Sequence, residues 1–267
     1  MQFRLTDVVR NLLILNVLFY IANITVSREI MGMLALHYPG SADFRPWQLV
    51  TYFFMHSREN FSHILFNMLG LVMFGSALEA VWGARRFLFY YIACALGAAA
   101  LHILIVYLEL QPMQQALAAF QAAPTYDAYW NFFKNVALDE FGSEIKEYAI
   151  NLGKNVYQDA AQYAPTAVDM MQQFINRQVN VPMVGASGAI FGLLLAFGIK
   201  FPENELIIFP IPVPIKAKYF IPFLILIEFF FGVQRVAGDN VAHFAHLGGA
   251  ATGLLLILFG RYIGKSF

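Results

Sequence analysis

Gly185-Ala186-Ser187-Gly188 leads into Ala189-Ile190-Phe191-Gly192 and an apolar run that continues to Ile199, so a hydroxyl stands where hydrocarbon would exclude it. A second run, Ala245-His246-Leu247-Gly248-Gly249, puts an imidazole in the same kind of setting. A polar side chain in a membrane-type helix needs a partner. Serine and histidine are the parts of a nucleophile and its base.

The composition around these two runs is that of a membrane protein. The chain is 59% hydrophobic, 16% aromatic and only 13% charged, with a mean hydropathy of +0.59, whereas soluble domains carry about 25% charged residues. Net charge is zero, so no basic field exists to attract nucleic acid, and nucleic-acid binding is excluded as a function class. The single cysteine, Cys94, has no intramolecular disulfide partner and reads as a small core residue.

Apolar runs bounded by charge predict six spans, at about Val8–Val26, Ile64–Leu78, Phe87–Leu108, Met183–Ile199, Tyr219–Val233 and Val241–Gly260. The expected fold is therefore all-α. The first span follows Arg4 and Arg10, and no small-x-small cleavage site precedes Arg28, so it is expected to remain as an uncleaved helix. Several spans fall short of the ~20 residues a bilayer core asks for, as suits helices covered by neighbours or ending below the surface.

The distribution of Lys and Arg predicts the orientation. With the N-terminus inside, Arg4, Arg10, Arg85, Arg86, Lys200, Lys216, Lys218, Arg261 and Lys265 gather on the inner side. Leaving aside the long third loop, only Arg28, Arg45, Arg58 and Arg235 face outward. Both termini are then cytoplasmic. Ser187, His246 and His63 all fall in the outer half of the membrane.

Between the third and fourth spans, residues 112–180 are read as an inserted extracytoplasmic segment of amphipathic helices, with Phe141, Ile145, Tyr148, Ala149 and Leu152 along one face. Such a segment can pack on the core, lie among headgroups, or select substrates as a cap.

Gly185 and Gly188 flank Ser187, so the backbone can turn sharply and come close to a substrate. At a helix N-terminus the Ser187 amide lacks an intrahelical partner and the helix dipole is positive, which favours an oxyanion. Gly188 and Gly192 form a small-xxx-small pair, and His246 shares its face with Gly249 and Gly253, so the two backbones can approach. A hydroxyl and an imidazole brought together there suit general-base catalysis. Read singly, Ser187 could be a packing residue and His246 a structural hydrogen-bonder. His63 and Asn67, one turn apart, offer two N–H donors to a developing oxyanion, or else an inter-helix packing network. Glu228, within the fifth span, demands a partner or water. His243 lies off the glycine stripe and reads as interfacial.

The chain resembles the rhomboid intramembrane serine proteases over nearly its whole length. The resemblance rests on Pro46-Trp47-Gln48-Leu49 with Thr51-Tyr52 and Phe54-Met55-His56, on His63-Ile64-Leu65-Phe66-Asn67, and on Gly75 to Glu79 with Trp82-Gly83. It is completed by Gly185 to Gly188 and by Ala245-His246 with Gly249 and Gly253. It implies a six-transmembrane-helix rhomboid bundle and a Ser–His dyad without a third carboxylate; the long outer loop read here between helices 3 and 4 is a departure, standing where the family usually has a shorter one. Ser187 would be the nucleophile and His246 the base, with an oxyanion site from the Ser187 amide, His63 and Asn67. Phe191 stands where family members often carry a tyrosine beneath the histidine, and can still stack on it. Glu79 and Trp82 resemble a packing motif, and the fifth helix is near the family's suggested lateral substrate entry.

The expected function is cleavage of transmembrane segments of other proteins in the lipid bilayer, in a bacterial inner membrane. The alternative is a catalytically weak rhomboid-fold binding protein for membrane-protein quality control. A metal hydrolase built on His56, His63, His243 and His246 would want a His-Glu-x-x-His segment or nearby carboxylates, and none is evident, so neither metal nor cofactor is expected. A transporter would show repeats or paired broken helices.

Overall fold

The computed structural model describes residues 5–134, 136, 138, 142–208, 211–234 and 241–262. Arg4, Asp139, Glu140, Phe141, Arg235 and Lys265 lie outside the described residues.

Helix α1 (Asp7–Thr25) opens with free backbone amides, and its N-cap Thr6 makes no side-chain capping bond. The amides are satisfied from a distance. Glu79 accepts from Val8 N and Val9 N, both at 3.0 Å, and from Thr6 Oγ at 2.5 Å. A buried carboxylate at the positive end of a helix is favoured twice, by hydrogen bonding and by the dipole. The packing motif read around Glu79 is therefore a cap that ties two spans together.

After α2 (Arg28–Leu34) the chain makes a first loop containing the short α3 (Gln48–Thr51). Gln48, fully buried, donates to Asp43 O at 2.9 Å and accepts from His37 N at 3.2 Å, and Thr51 Oγ donates to Leu34 O at 2.7 Å. The loop is stiffened from within. Helix α4 (Phe61–Gly70) continues through a π-helical turn at Leu71–Gly75 into α5 (Ser76–Trp82), and Gly83 at φ +77° breaks the chain before α6 (Ala84–Ala122). Then come α7 (Tyr126–Phe133), α8 (Ser143–Gln158), α9 (Ala160–Val179) and α10 (Ser187–Lys200). Strands β1 (Glu205–Ile208) and β2 (Ile211–Lys216) form an antiparallel hairpin before α11 (Ala217–Gln234) and α12 (His243–Tyr262).

Among the described residues, five stretches are long and apolar enough to cross a membrane: α1, the continuous α4–α5, α6, α11 and α12. The remaining expected span, α10, has only 14 residues, about 21 Å at 1.5 Å per residue against a core of ~30 Å. Its shortness goes with its central position. Helices α6, α10 and α12 form the middle of the bundle, and Leu193, Ala95, Ala98 and Cys94 are fully buried there. Large apolar side chains such as Leu18, Phe66, Leu226, Leu255 and Phe259 project outward, as expected of a surface whose solvent is lipid.

Two expectations are corrected. Residues 112–180 do not begin as a loop, because α6 runs on through Pro112 to Ala122. At 39 residues it is about 58 Å long, roughly twice a bilayer core. Its far end carries a second hydrophobic core, in which Phe120, Tyr129, Phe132, Ala149 and Met171 are fully buried. The inward face of α8 is also rotated from the one read in the sequence. Ala149, Leu152, Gly153 and Val156 are buried, whereas Tyr148 is 54% exposed and Ile145 38% exposed. Gly153 decides the rotation, since a β-carbon there would lie 2.8 Å from the Trp130 ring and 3.0 Å from that of Tyr129.

Candidate active site

The segment before Ser187 is pinned by backbone pairing to the stiff first loop. Leu36 and Met183 exchange hydrogen bonds at 2.9 and 2.8 Å, and Gly185 N donates to Tyr52 O at 3.0 Å. Gly185 has φ +124°, a conformation closed to side-chain-bearing residues. A β-carbon there would also lie 2.8 Å from His63 Nε2. The chain then enters α10 with Ser187 as its first residue, where a backbone N–H has no intrahelical partner.

Helix α12 meets α10 backbone to backbone. A β-carbon on Gly249 would collide with the Gly188 carbonyl oxygen, and one on Gly188 would meet Ala98 Cβ. Gly253 packs on the Tyr90 hydroxyl in the same manner. The glycine faces read from the sequence do meet. As a result His246 Nε2 lies 2.8 Å from Ser187 Oγ.

Two contacts besides that with Ser187 fix the His246 ring. Phe191 stacks on it at 4.3 Å with planes 7° apart. Its Nδ1 lies 2.8 Å from Glu228 Oε2, and a carboxylate acceptor assigns the proton to Nδ1. That leaves Nε2 unprotonated and facing the Ser187 hydroxyl, the state in which an imidazole can take a proton from it. His243 Nδ1 reaches the same Glu228 oxygen at 2.7 Å.

On the other side of Ser187, the His63 ring accepts at Nδ1 a long bond from Ser57 N, 3.4 Å. Its Nε2 then carries the proton and faces Gly185, where a β-carbon would lie 2.8 Å from it and 3.5 Å from Ser187 Oγ. Asn67, one turn further along α4, is buried, and its amide nitrogen has no hydrogen-bond partner. An unpaired buried donor is costly unless something pairs with it at work. His56 packs against His63 with ring centroids 5.2 Å apart, and burial pushes its pKa down to about 4.

The family model for the Rhomboid domain matches residues 43–113 and 162–263. The chain belongs to the rhomboid family. It is 27% identical over 150 residues to Rhomboid protein 1, mitochondrial, of Saccharomyces cerevisiae, covering 54% of this chain and 41% of that one. It is 26% identical over 218 residues to an uncharacterized mitochondrial rhomboid protein of Schizosaccharomyces pombe, covering 80% of this chain and 50% of that one. The chain thus spans about half the length, or less, of these curated relatives. The stretch that the rhomboid family model passes over contains α7, α8 and the far end of α6, whereas Val106, Leu110 and Met113 of α6 and most of α9, which complete the second core, lie within the match.

Two neighbours of the Ser187–His246 pair were not joined to it in the sequence reading. Glu228, expected to demand a partner or water, bonds the imidazole beside Ser187, and His243, read as interfacial, is its second donor. A carboxylate therefore stands by the Ser–His pair, where the resemblance implied none. The signal was available, because an acid amid Phe223–Phe231 must find partners and His243 is three residues from His246, on the same side of a helix. Glu228, His243 and His246 also bring ligand atoms within 4.8 Å of one another, a set able to hold a metal ion, where the sequence had suggested no nearby carboxylate.

Proposed function

We propose that this multi-pass rhomboid-family protein is an intramembrane serine endopeptidase that cuts peptide bonds within or near transmembrane segments of other membrane proteins. One observation carries the reading: Ser187 Oγ sits 2.8 Å from an imidazole nitrogen whose ring partner fixes it as the acceptor. In the reaction, Oγ bonds to the scissile carbonyl carbon as its proton passes to His246 Nε2. The negative charge forming on the carbonyl oxygen falls to the Ser187 amide, His63 and Asn67. Nε2 then returns the proton to the leaving amine as the C–N bond breaks, and water repeats the cycle on the acyl-enzyme.

Six crossings are part of the reading, with α10 the short one, so that Ser187 lies below the membrane surface and within reach of a substrate helix that unwinds. The charge distribution supports both termini on the side opposite the site. The mitochondrial names of the curated relatives count against a bacterial inner membrane, and the orientation is proposed without that compartment.

A serine-directed fluorophosphonate tests the reading. Covalent labelling of the intact chain but not of Ser187→Ala, together with cleavage of a transmembrane reporter by the former alone, is the expected result. Absence of both from the intact chain favours a rhomboid-fold binding protein.

A further inference from the structure

The structure assigns Glu228 a positioning role: we infer that it completes a Ser187–His246–Glu228 triad, with His243 holding the carboxylate in place. The inference rests on the protease reading above and adds to it the group that orients the base.

An ionised carboxylate inside a membrane span is expensive unless its oxygens are satisfied. Here one oxygen receives two imidazole N–H donors, at 2.7 and 2.8 Å, from consecutive turns of α12. The approach of α11 that makes this possible has a local cause at Gly232, one turn after Glu228. A β-carbon on Gly232 would lie 3.2 Å from His243 Cβ and 3.3 Å from the Phe244 ring. Phe231 stacks on the His243 ring with centroids 5.8 Å apart. Thus α11 is seated on α12 at the carboxylate, while Tyr219, Phe223, Leu226 and Phe230 point away to the lipid side.

The consequence for catalysis follows from the tautomer. With Nδ1–H donated to Glu228, His246 presents a bare Nε2 to Ser187. Without that acceptor the Nε2–H tautomer competes, and it cannot accept the hydroxyl proton. Once Nε2 is protonated, the neighbouring negative charge stabilises the imidazolium without itself taking the proton.

The test uses the full chain in proteoliposomes with a transmembrane reporter, comparing Glu228→Gln, Glu228→Ala and Ser187→Ala. Glu228→Ala is expected to lower kcat by about 10²–10⁴, by analogy with soluble triads, while KM stays within about threefold. Glu228→Gln has the same shape and keeps an acceptor, so it should remain folded and lose at least about tenfold in kcat through the lost charge. In ¹⁵N-histidine NMR, the downfield Nδ1–H proton of His246 should move upfield in Glu228→Gln, because a carboxamide accepts more weakly than a carboxylate. Wild-type kcat in Glu228→Gln, or a fall in kcat with the His246 resonance unmoved, overturns the positioning role and leaves the dyad intact. Activity lost on chelation and restored by zinc overturns it in favour of a metal on the same atoms. Cleavage surviving in Ser187→Ala overturns the protease reading itself, a separate failure.

Discussion

Gly249 packs on the carbonyl oxygen of Gly188 with no room for a β-carbon between them. This contact sets the distance between α10 and α12, and hence the distance from Ser187 to His246. Because the obstruction is backbone, neither helix can yield by a rotamer change. Gly249→Val is expected to cost at least the 1–3 kcal/mol usual for overpacking. It should lower both the thermal midpoint in detergent and the rate of reporter cleavage. Full stability with full activity in this variant would mean that the contact does not hold the site.

Ser187→Ala and His246→Ala should each abolish cleavage while leaving the protein folded and inserted. Nucleophile and base act as a unit, so either loss removes nearly the same rate factor. Loss of Ser187 Oγ leaves the Phe191 stack and the Glu228 bond on His246 in place, so its thermal midpoint should stay near wild type. Near-normal cleavage by either variant refutes the assignment.

His63→Ala and Asn67→Ala should be graded where those two are absolute. Each takes away one donor, worth on the order of 10²–10³ in rate at soluble acyl-transfer sites. The two differ in the resting protein. Asn67 has an unpaired amide nitrogen, whereas His63 accepts from Ser57 N. Asn67→Ala should therefore slow fluorophosphonate labelling with little change in stability, and His63→Ala should lower both. Wild-type labelling rates would make the pair structural.

The polar residues of the candidate site were legible wherever a local pattern forced them. Ser187 between glycines, and His246 on a glycine stripe, are anomalies in hydrocarbon that composition alone exposes. The meeting of their helices could be read from small residues at helical spacing. Glu228 and His243 were visible as residues but not as partners, because their pairing depends on the angle at which α11 crosses α12. Gly232 sets that approach without any periodic signature. The length of α6 was missed for a related reason. Its apolar stretch fades near Leu108 and Pro112 is a helix breaker, yet good helix formers follow it, and residues such as Met113, Leu117 and Phe120 continue a face that only the partner helices α7 to α9 reveal.

Glu79 offers a stability test far from the chemistry. Its carboxylate caps α1 at both Val8 N and Val9 N, so Glu79→Ala leaves two amides without their acceptor at a partly buried helix end. Loss of a cap costs about 0.5–2 kcal/mol and bonds to a charged group about 1.5–3 each. A loss of about 2 kcal/mol or more is expected, read as a lower thermal midpoint, with the fluorophosphonate labelling rate unchanged below that midpoint. An unchanged midpoint would show that water serves the amides equally well.

The helices of the second core give the last test. The rhomboid family model breaks off at residue 113 and resumes at 162, and the intervening helices α7 and α8 bury their apolar faces in a core separate from that of the bundle. Two cores joined through one long helix can be separated in principle, since neither completes the other. Replacing residues 124–159 with a short flexible linker removes α7 and α8 and leaves α6 packed on α9. Labelling of Ser187 by a small fluorophosphonate should survive, because the probe needs only the serine, its base and the donors around it. Cleavage of protein substrates should change in rate or selectivity, since these helices extend from the end of α6 on the side where α9 leads into Ser187. Loss of labelling would make the second core part of the catalytic scaffold. An unchanged cleavage pattern across a panel of transmembrane substrates would remove the selecting role from these helices.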